Sequence, residues 1–71
     1  MTIAENMTPV ASSNIKAIGY EEGDLFVEYN SGTYVYKNVP KNLYDELMEA
    51  DSKGSFMNMY IKGNYNYDYL R

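Results

Sequence analysis

Apolar and polar side chains alternate along Leu25–Tyr29 and again along Thr33–Lys37, the period of extended chain with one face turned to a core. In the first run Leu25, Val27 and Tyr29 oppose Phe26 and Glu28. An earlier run tightens from Val10 and sets Ile15, Ala17 and Gly19 against Lys16, Ile18 and Tyr20. Glu21-Glu22-Gly23-Asp24 between these runs is turn chemistry. Asn30-Ser31-Gly32 is a compact hairpin loop. With Gly32 closing a bulged three-residue loop, Tyr29 pairs with Thr33. Val27 and Val35 then share one face, and Phe26, Tyr34 and Tyr36 the other. A two-residue loop would instead bring Tyr34 and Tyr36 to the side of Leu25, Val27 and Tyr29, because a slip of one residue flips every side chain. The bulged form is the expected one.

The period changes after Pro40, a residue suited to a first helical turn, where a missing amide hydrogen costs no helical bond. Leu43, Tyr44, Leu47, Met48 and Ala50 trace an apolar stripe, with Asp45, Glu46, Glu49 and Asp51 outside it. Lys53 and Gly54 read as the last turn and left-handed stop of this helix. Ser55 reads as the cap of a short second one, Phe56 to Lys62, which Gly63 ends. Tyr65, Tyr67 and Tyr69 then alternate with Asn64, Asn66 and Asp68, which predicts a C-terminal strand with an aromatic face. The expected fold is α+β: a three-stranded antiparallel meander followed by a covering helix, a short second helix and a C-terminal strand. Residues 1–9 lack either period and end at Pro9, so they are expected to form a flexible arm before a single domain at 10–71.

Size and composition narrow what such a domain can do. A chain of 71 residues has room for one modest core, and chains of this size bury only about 60% of their unfolded surface. With no cysteine and no histidine, disulfides and thiolate or imidazole metal sites are excluded, leaving aromatic packing or self-association to add stability. Six basic side chains against ten acidic ones give a net charge of −4. That balance repels a phosphate backbone at long range, so nonspecific DNA binding is not expected. No run reaches the roughly 18 to 20 apolar residues of a membrane span, and the N-terminus has no signal-peptide pattern, so the expected location is the cytoplasm and no membrane partner is expected.

Beyond composition, the chain resembles the KTSC domain, a small family named from the C-terminus of some lysyl-tRNA synthetases. The resemblance runs from about Val10 to Tyr67. It is carried by Val10-Ala11-Ser12-Ser13-Asn14-Ile15 and Ile18-Gly19-Tyr20, then by Gly32, Tyr34, Tyr36 and Val39-Pro40. Tyr44, Leu47, Ala50, Ser52 and Gly54 follow, then Phe56, Ile61, Gly63, Tyr65 and Tyr67. RNA binding is what the synthetase context implies. Against that, only Lys37, Lys41 and Lys62 stand near the aromatic strand and terminal segment, among ten carboxylates, so no electrostatic footprint for long RNA is visible.

The tyrosines carry the candidate site. Tyr34 and Tyr36 offer flat rings on which a base can stack, with Phe26 beside them in the bulged register. The same rings also suffice to build the core beneath the helix. Ser13, Lys37 and Lys62 are the candidate phosphate contacts, although a serine pair more often simply shapes a turn. Tyr65, Tyr67 and Tyr69 are candidates for self-association or a protein partner, since rings at a chain end need cover. Catalysis is not expected: without histidine no serine or tyrosine has a recognisable base, and the helix acids lack a calcium-loop spacing. No catalytic residue, metal or cofactor is assigned.

Two functions fit this inventory. One is a non-catalytic binding module for RNA or a nucleotide. The other is a homo-oligomeric protein-interaction or inhibitory module, a role that suits a phage protein sequestering a host protein or signalling nucleotide.

Overall fold

The computed structural model describes residues 7–70. Five antiparallel strands form one sheet in chain order: β1 (Thr8–Pro9), β2 (Ile15–Glu21), β3 (Asp24–Tyr29), β4 (Gly32–Tyr36) and β5 (Tyr67–Tyr69). Helix α1 (Lys41–Glu49) follows β4, and α2 (Lys53–Phe56) runs directly into a π-helical turn over Met57–Ile61. The α+β architecture is as expected, with the meander, covering helix, second helix and terminal strand all present. Thr8–Pro9, at the end of the segment expected to be an arm, adds an edge strand to β2. The remainder of that arm, residues 1–6, lies outside the described residues.

The β2–β3 connection is a two-residue loop in which Glu22 and Gly23 both have positive φ (48° and 89°). That backbone matches the right-handed twist of the flanking strands, and Gly23 adopts it without steric cost. The β3–β4 hairpin corrects the expected register. Tyr29 pairs with Gly32, Val27 with Tyr34 and Leu25 with Tyr36, so the loop is the two residues Asn30-Ser31. Leu25, Val27, Tyr29, Tyr34 and Tyr36 therefore share the face beneath the helices, while Phe26 lies on the opposite face and not beside the tyrosines. The bulged alternative would have turned Thr33 and Val35 to the helices and two large rings away from them. Burial of aromatic area favours the observed pairing.

A second departure lies in β2, where an irregularity between Ile15 and Ala17 accommodates Lys16 as an extra residue. The expected alternation breaks there: Ile15 and Ile18 both reach the core face, and Ala17 and Gly19 face the other way opposite Glu28 and Phe26. A bulge re-aims side chains in this manner without ending the pairing.

The core lies between this sheet face and the helices, joining Ile15, Ile18, Leu25, Val27 and Tyr36 to Val39, Leu47, Met57 and Ile61. Each large aliphatic in it stabilises the fold by about 1.5–3 kcal/mol. Tyr20 stacks on Tyr44 of α1 at 4.9 Å between ring centroids. Its hydroxyl donates to the carbonyl of Val39 at 2.6 Å, tying the sheet to the segment that leads into α1. Pro40 is the cap of α1 and not its first helical residue.

Helix α1 stops at Glu49. Lys53 and Gly54, expected to end it, instead open α2, whose cap is Ser52 and not Ser55: the Ser52 hydroxyl accepts the Ser55 amide at 3.3 Å.

Candidate nucleotide cleft

Sheet, hairpin loop and second helix meet along one side of the molecule and border a solvent-open cleft with two adjoining lobes. The aromatic lobe, about 530 Å³, is lined by Tyr29, Tyr34, Tyr36 and Tyr67 with Ser31, Lys62 and Gly63. The polar lobe, about 420 Å³, is lined mainly by Ser12, Ser13, Asn14, Asn30, Ser52, Ser55 and Asn58. Tyr29, Ser31 and Lys62 belong to both linings and mark where the lobes meet.

The aromatic wall follows from the register. Across the sheet, Val27 pairs with Tyr34 and Tyr34 with Tyr69, while Leu25 pairs with Tyr36 and Tyr36 with Tyr67. Rings on neighbouring strands therefore touch: Tyr34 lies 5.8 Å from Tyr67 and 5.1 Å from Tyr69, and Tyr36 lies 5.6 Å from Tyr67. Tyr29 meets Tyr34 edge-on at 5.7 Å. Such pairs contribute about 0.5–1.5 kcal/mol each beyond their buried area and hold the rings in fixed orientations. Burial grades outward along this wall, from Tyr36 at 3% exposed to Tyr67 at 59%. Tyr36 thus serves the core and the wall together, whereas Tyr67 has a face open to solvent.

At the floor the Tyr29 and Tyr36 hydroxyls share a hydrogen bond of 3.2 Å. Burial is the main cause that pushes both phenols above their ordinary range, and for Tyr29 the bond to Tyr36 pushes in the same direction. Both stay protonated as neutral donors and acceptors across the physiological range.

Lys62 reaches the junction because of the π turn. Its amide donates to the carbonyl of Met57 at 2.7 Å, five residues back, and Gly63 follows with φ of 86°, a left-handed conformation that breaks the helix there. The Lys62 ammonium consequently sits 5.0 Å from the centroid of the Tyr29 ring, within the range of a cation–π contact.

The polar lobe is held by the hairpin loop. The Asn30 side chain donates to the Ser13 carbonyl at 2.9 Å, and its amide donates to the Asn14 carbonyl at 3.1 Å. Ser12 shapes the adjoining turn by accepting the amides of Asn14 and Ile15, each at 3.4 Å.

Of the residues singled out from sequence, Ser13, Tyr34, Tyr36 and Lys62 come together in this cleft. Lys37 does not: it lies at the far end of β4 and pairs with Asp24 at 3.7 Å. Tyr67 lines the cleft, Tyr69 continues the ring row outside it, and Tyr65 packs against the core. Sequence reading missed Tyr29, Asn30, Ser31 and Asn58. A two-residue hairpin loop would have indicated the first three by setting Tyr29 beside Tyr34 at the loop base.

The sequence profile of the KTSC domain matches residues 11–65, from the turn before β2 to the residues that lead into β5. The chain belongs to the KTSC domain family. It is similar, at 39% identity over 62 residues, to a protein of Tsukamurella paurometabola, with 83% of this chain and 92% of that one aligned. A crystal structure of a KTSC domain protein from Yersinia pestis superposes with a TM-score of 0.88 at 35% identity, covering 92% of this chain and 96% of its own. A lysine–tRNA ligase of a Nostoc species is 41% identical over 61 residues. The match takes in 82% of this chain but only 11% of the ligase. The KTSC fold thus makes up most of two small relatives and a minor segment of a much larger one.

Proposed function

We propose that this KTSC domain is a non-catalytic binding module whose cleft holds a nucleotide, the base against Tyr34 and Tyr67 and the phosphate at Lys62. The observation that carries the reading is the meeting of an aromatic wall, a cation and a hydroxyl-rich lobe at Tyr29, Ser31 and Lys62. Ring faces accept any base by stacking, an ammonium satisfies phosphate oxygens, and serine and asparagine side chains both donate and accept toward sugar hydroxyls. Support for a purely binding role comes from the lining itself. Among the described residues it contains no carboxylate that could serve its serines as a base.

The test is calorimetric titration of the full chain with the four ribonucleoside 5′-monophosphates. Tyr67 is exposed enough to be cut back without loss of fold, and stacking is worth about 1–3 kcal/mol per base. Tyr67→Ala should therefore weaken binding by about 5- to 150-fold. Unchanged affinity in that variant would remove the base from the aromatic lobe.

A second reading rests on β5. The Lys37 amide bonds to Asn66 and the Leu70 amide to Thr33, so alternate residues of β5 face β4, and Tyr67 and Tyr69 direct their own N–H and C=O groups to the open edge. Both residues are 59% exposed. An edge of this kind is suited to pair with a second copy or a protein partner. Sedimentation velocity over a wide concentration range checks it: a dimer that Tyr69→Lys dissociates supports pairing, and a monomer throughout contradicts it.

A further inference from the structure

Among the described residues that line the two lobes, Lys62 is the one charged side chain; the others are tyrosine, serine, asparagine and glycine. From this we infer that the cleft selects a ligand with a single phosphate, a nucleoside monophosphate or a phosphodiester-linked dinucleoside, and discriminates against nucleoside di- and triphosphates. The inference rests on the nucleotide reading of the cleft.

The position of Lys62 sets where that phosphate lies. Its ammonium stands at the junction, 5.0 Å from the Tyr29 ring centroid, so a phosphate bonded to it can direct the ester that carries the base into the aromatic lobe. Toward the polar lobe it can turn its second ester, in a diester, or its terminal oxygens, in a monoester. The polar lobe offers hydroxyl and amide groups of Ser13, Ser31, Ser55 and Asn58, which both donate to and accept from neutral hydroxyls. A second or third phosphate there would enter the lobe without a cation. In this solvent-open lobe an added phosphate gains no opposite charge for the water it gives up, and the net charge of −4 adds repulsion at longer range. No other lysine lines the polar lobe among the described residues: Lys37 lies at the far end of β4 beside Asp24, and Lys53, whose ammonium donates to the Ala50 carbonyl at 2.9 Å, is outside the lining. A volume of about 420 Å³ in the polar lobe lies within the usual range for small-molecule sites, roughly 300–1,000 Å³, so charge and not space sets the limit.

The experiment compares adenosine, AMP, ATP and the dinucleoside monophosphate ApA on the full chain by calorimetry, with the guanosine series in parallel. AMP or ApA should bind at least about tenfold more tightly than adenosine, the gain of one charge-assisted contact, and ATP should bind no more tightly than AMP. Tighter binding of ApA than of AMP identifies the diester, and the reverse identifies the monoester. In Lys62→Gln, whose side chain is exposed and whose fold is checked by circular dichroism, AMP should lose its advantage over adenosine. ATP binding more tightly than AMP, or Lys62→Gln weakening adenosine and AMP alike, overturns single-phosphate selection and leaves nucleotide binding standing. Failure of every probe in both series overturns both.

Discussion

The shared hydroxyl pair of Tyr29 and Tyr36 concentrates the chemistry of the cleft floor in two residues. Removing one hydroxyl leaves the other without its partner, so Tyr29→Phe is expected to cost about 0.5–1.5 kcal/mol in a urea titration. The pH dependence has a definite sign. Both phenols lie above the ordinary tyrosine value of 10.0 in the fold. Above about pH 10 the unfolded chain therefore loses these protons while the folded chain keeps them. Stability from the pair is complete below that pH and is lost as pH rises beyond it. Urea midpoints measured between pH 8 and 11 should fall over the upper part of the range, and less steeply in Tyr29→Phe. At this scale sequence reading nominated Tyr34, Tyr36, Ser13 and Lys62, which line the cleft, from ring and charge chemistry. It misplaced Lys37, because a lysine next to an aromatic strand says nothing of an aspartate two strands' length away in sequence. The Asp24 partner becomes visible only when β3 and β4 are paired.

At the level of elements, the helix stripe was legible and the hairpin register was not. Leu43, Tyr44, Leu47 and Met48 repeat with the helical period and admit one reading. Asn30-Ser31-Gly32 admits two, since strands on either side alternate in both registers and only packing against the helices decides between them. The extra residue at Lys16 left no local mark for the same reason. The boundary between the helices was misread because Gly54, a residue that often stops a helix, is the second residue of α2, where the Ser52 cap determines the start. Replacing that cap, Ser52→Ala, should lower stability by about 1 kcal/mol. Gly63→Ala should do more. A side chain at its φ of 86° costs roughly 1–2 kcal/mol, and relief of that strain would swing Lys62 off the junction. Thermal melts measure the first effect, and loss of the Lys62-dependent part of AMP affinity measures the second.

For the whole molecule, the fold and the cleft depend on the same surfaces. A domain of 71 residues has a stability on the order of 4–11 kcal/mol. Leu47→Ala, at a fully buried position on the inner face of α1, should remove about 2–5 kcal/mol of that, visible as a large drop in the denaturation midpoint. The cleft walls come from the turn before β2, the β3–β4 hairpin, the second helix and β5, so no contiguous stretch of sequence contains the site. That dispersion explains why its residues could be nominated individually but not assembled.

The central claim is that a nucleotide occupies the cleft between the aromatic wall and Lys62, and an amide-resolved NMR titration of the full chain with AMP tests it most directly. The account predicts dose-dependent shifts at Ser31, Tyr34, Lys62, Gly63 and Tyr67, with α1 (Lys41–Glu49) unmoved. A spectrum that does not change, or shifts confined to α1, would contradict it.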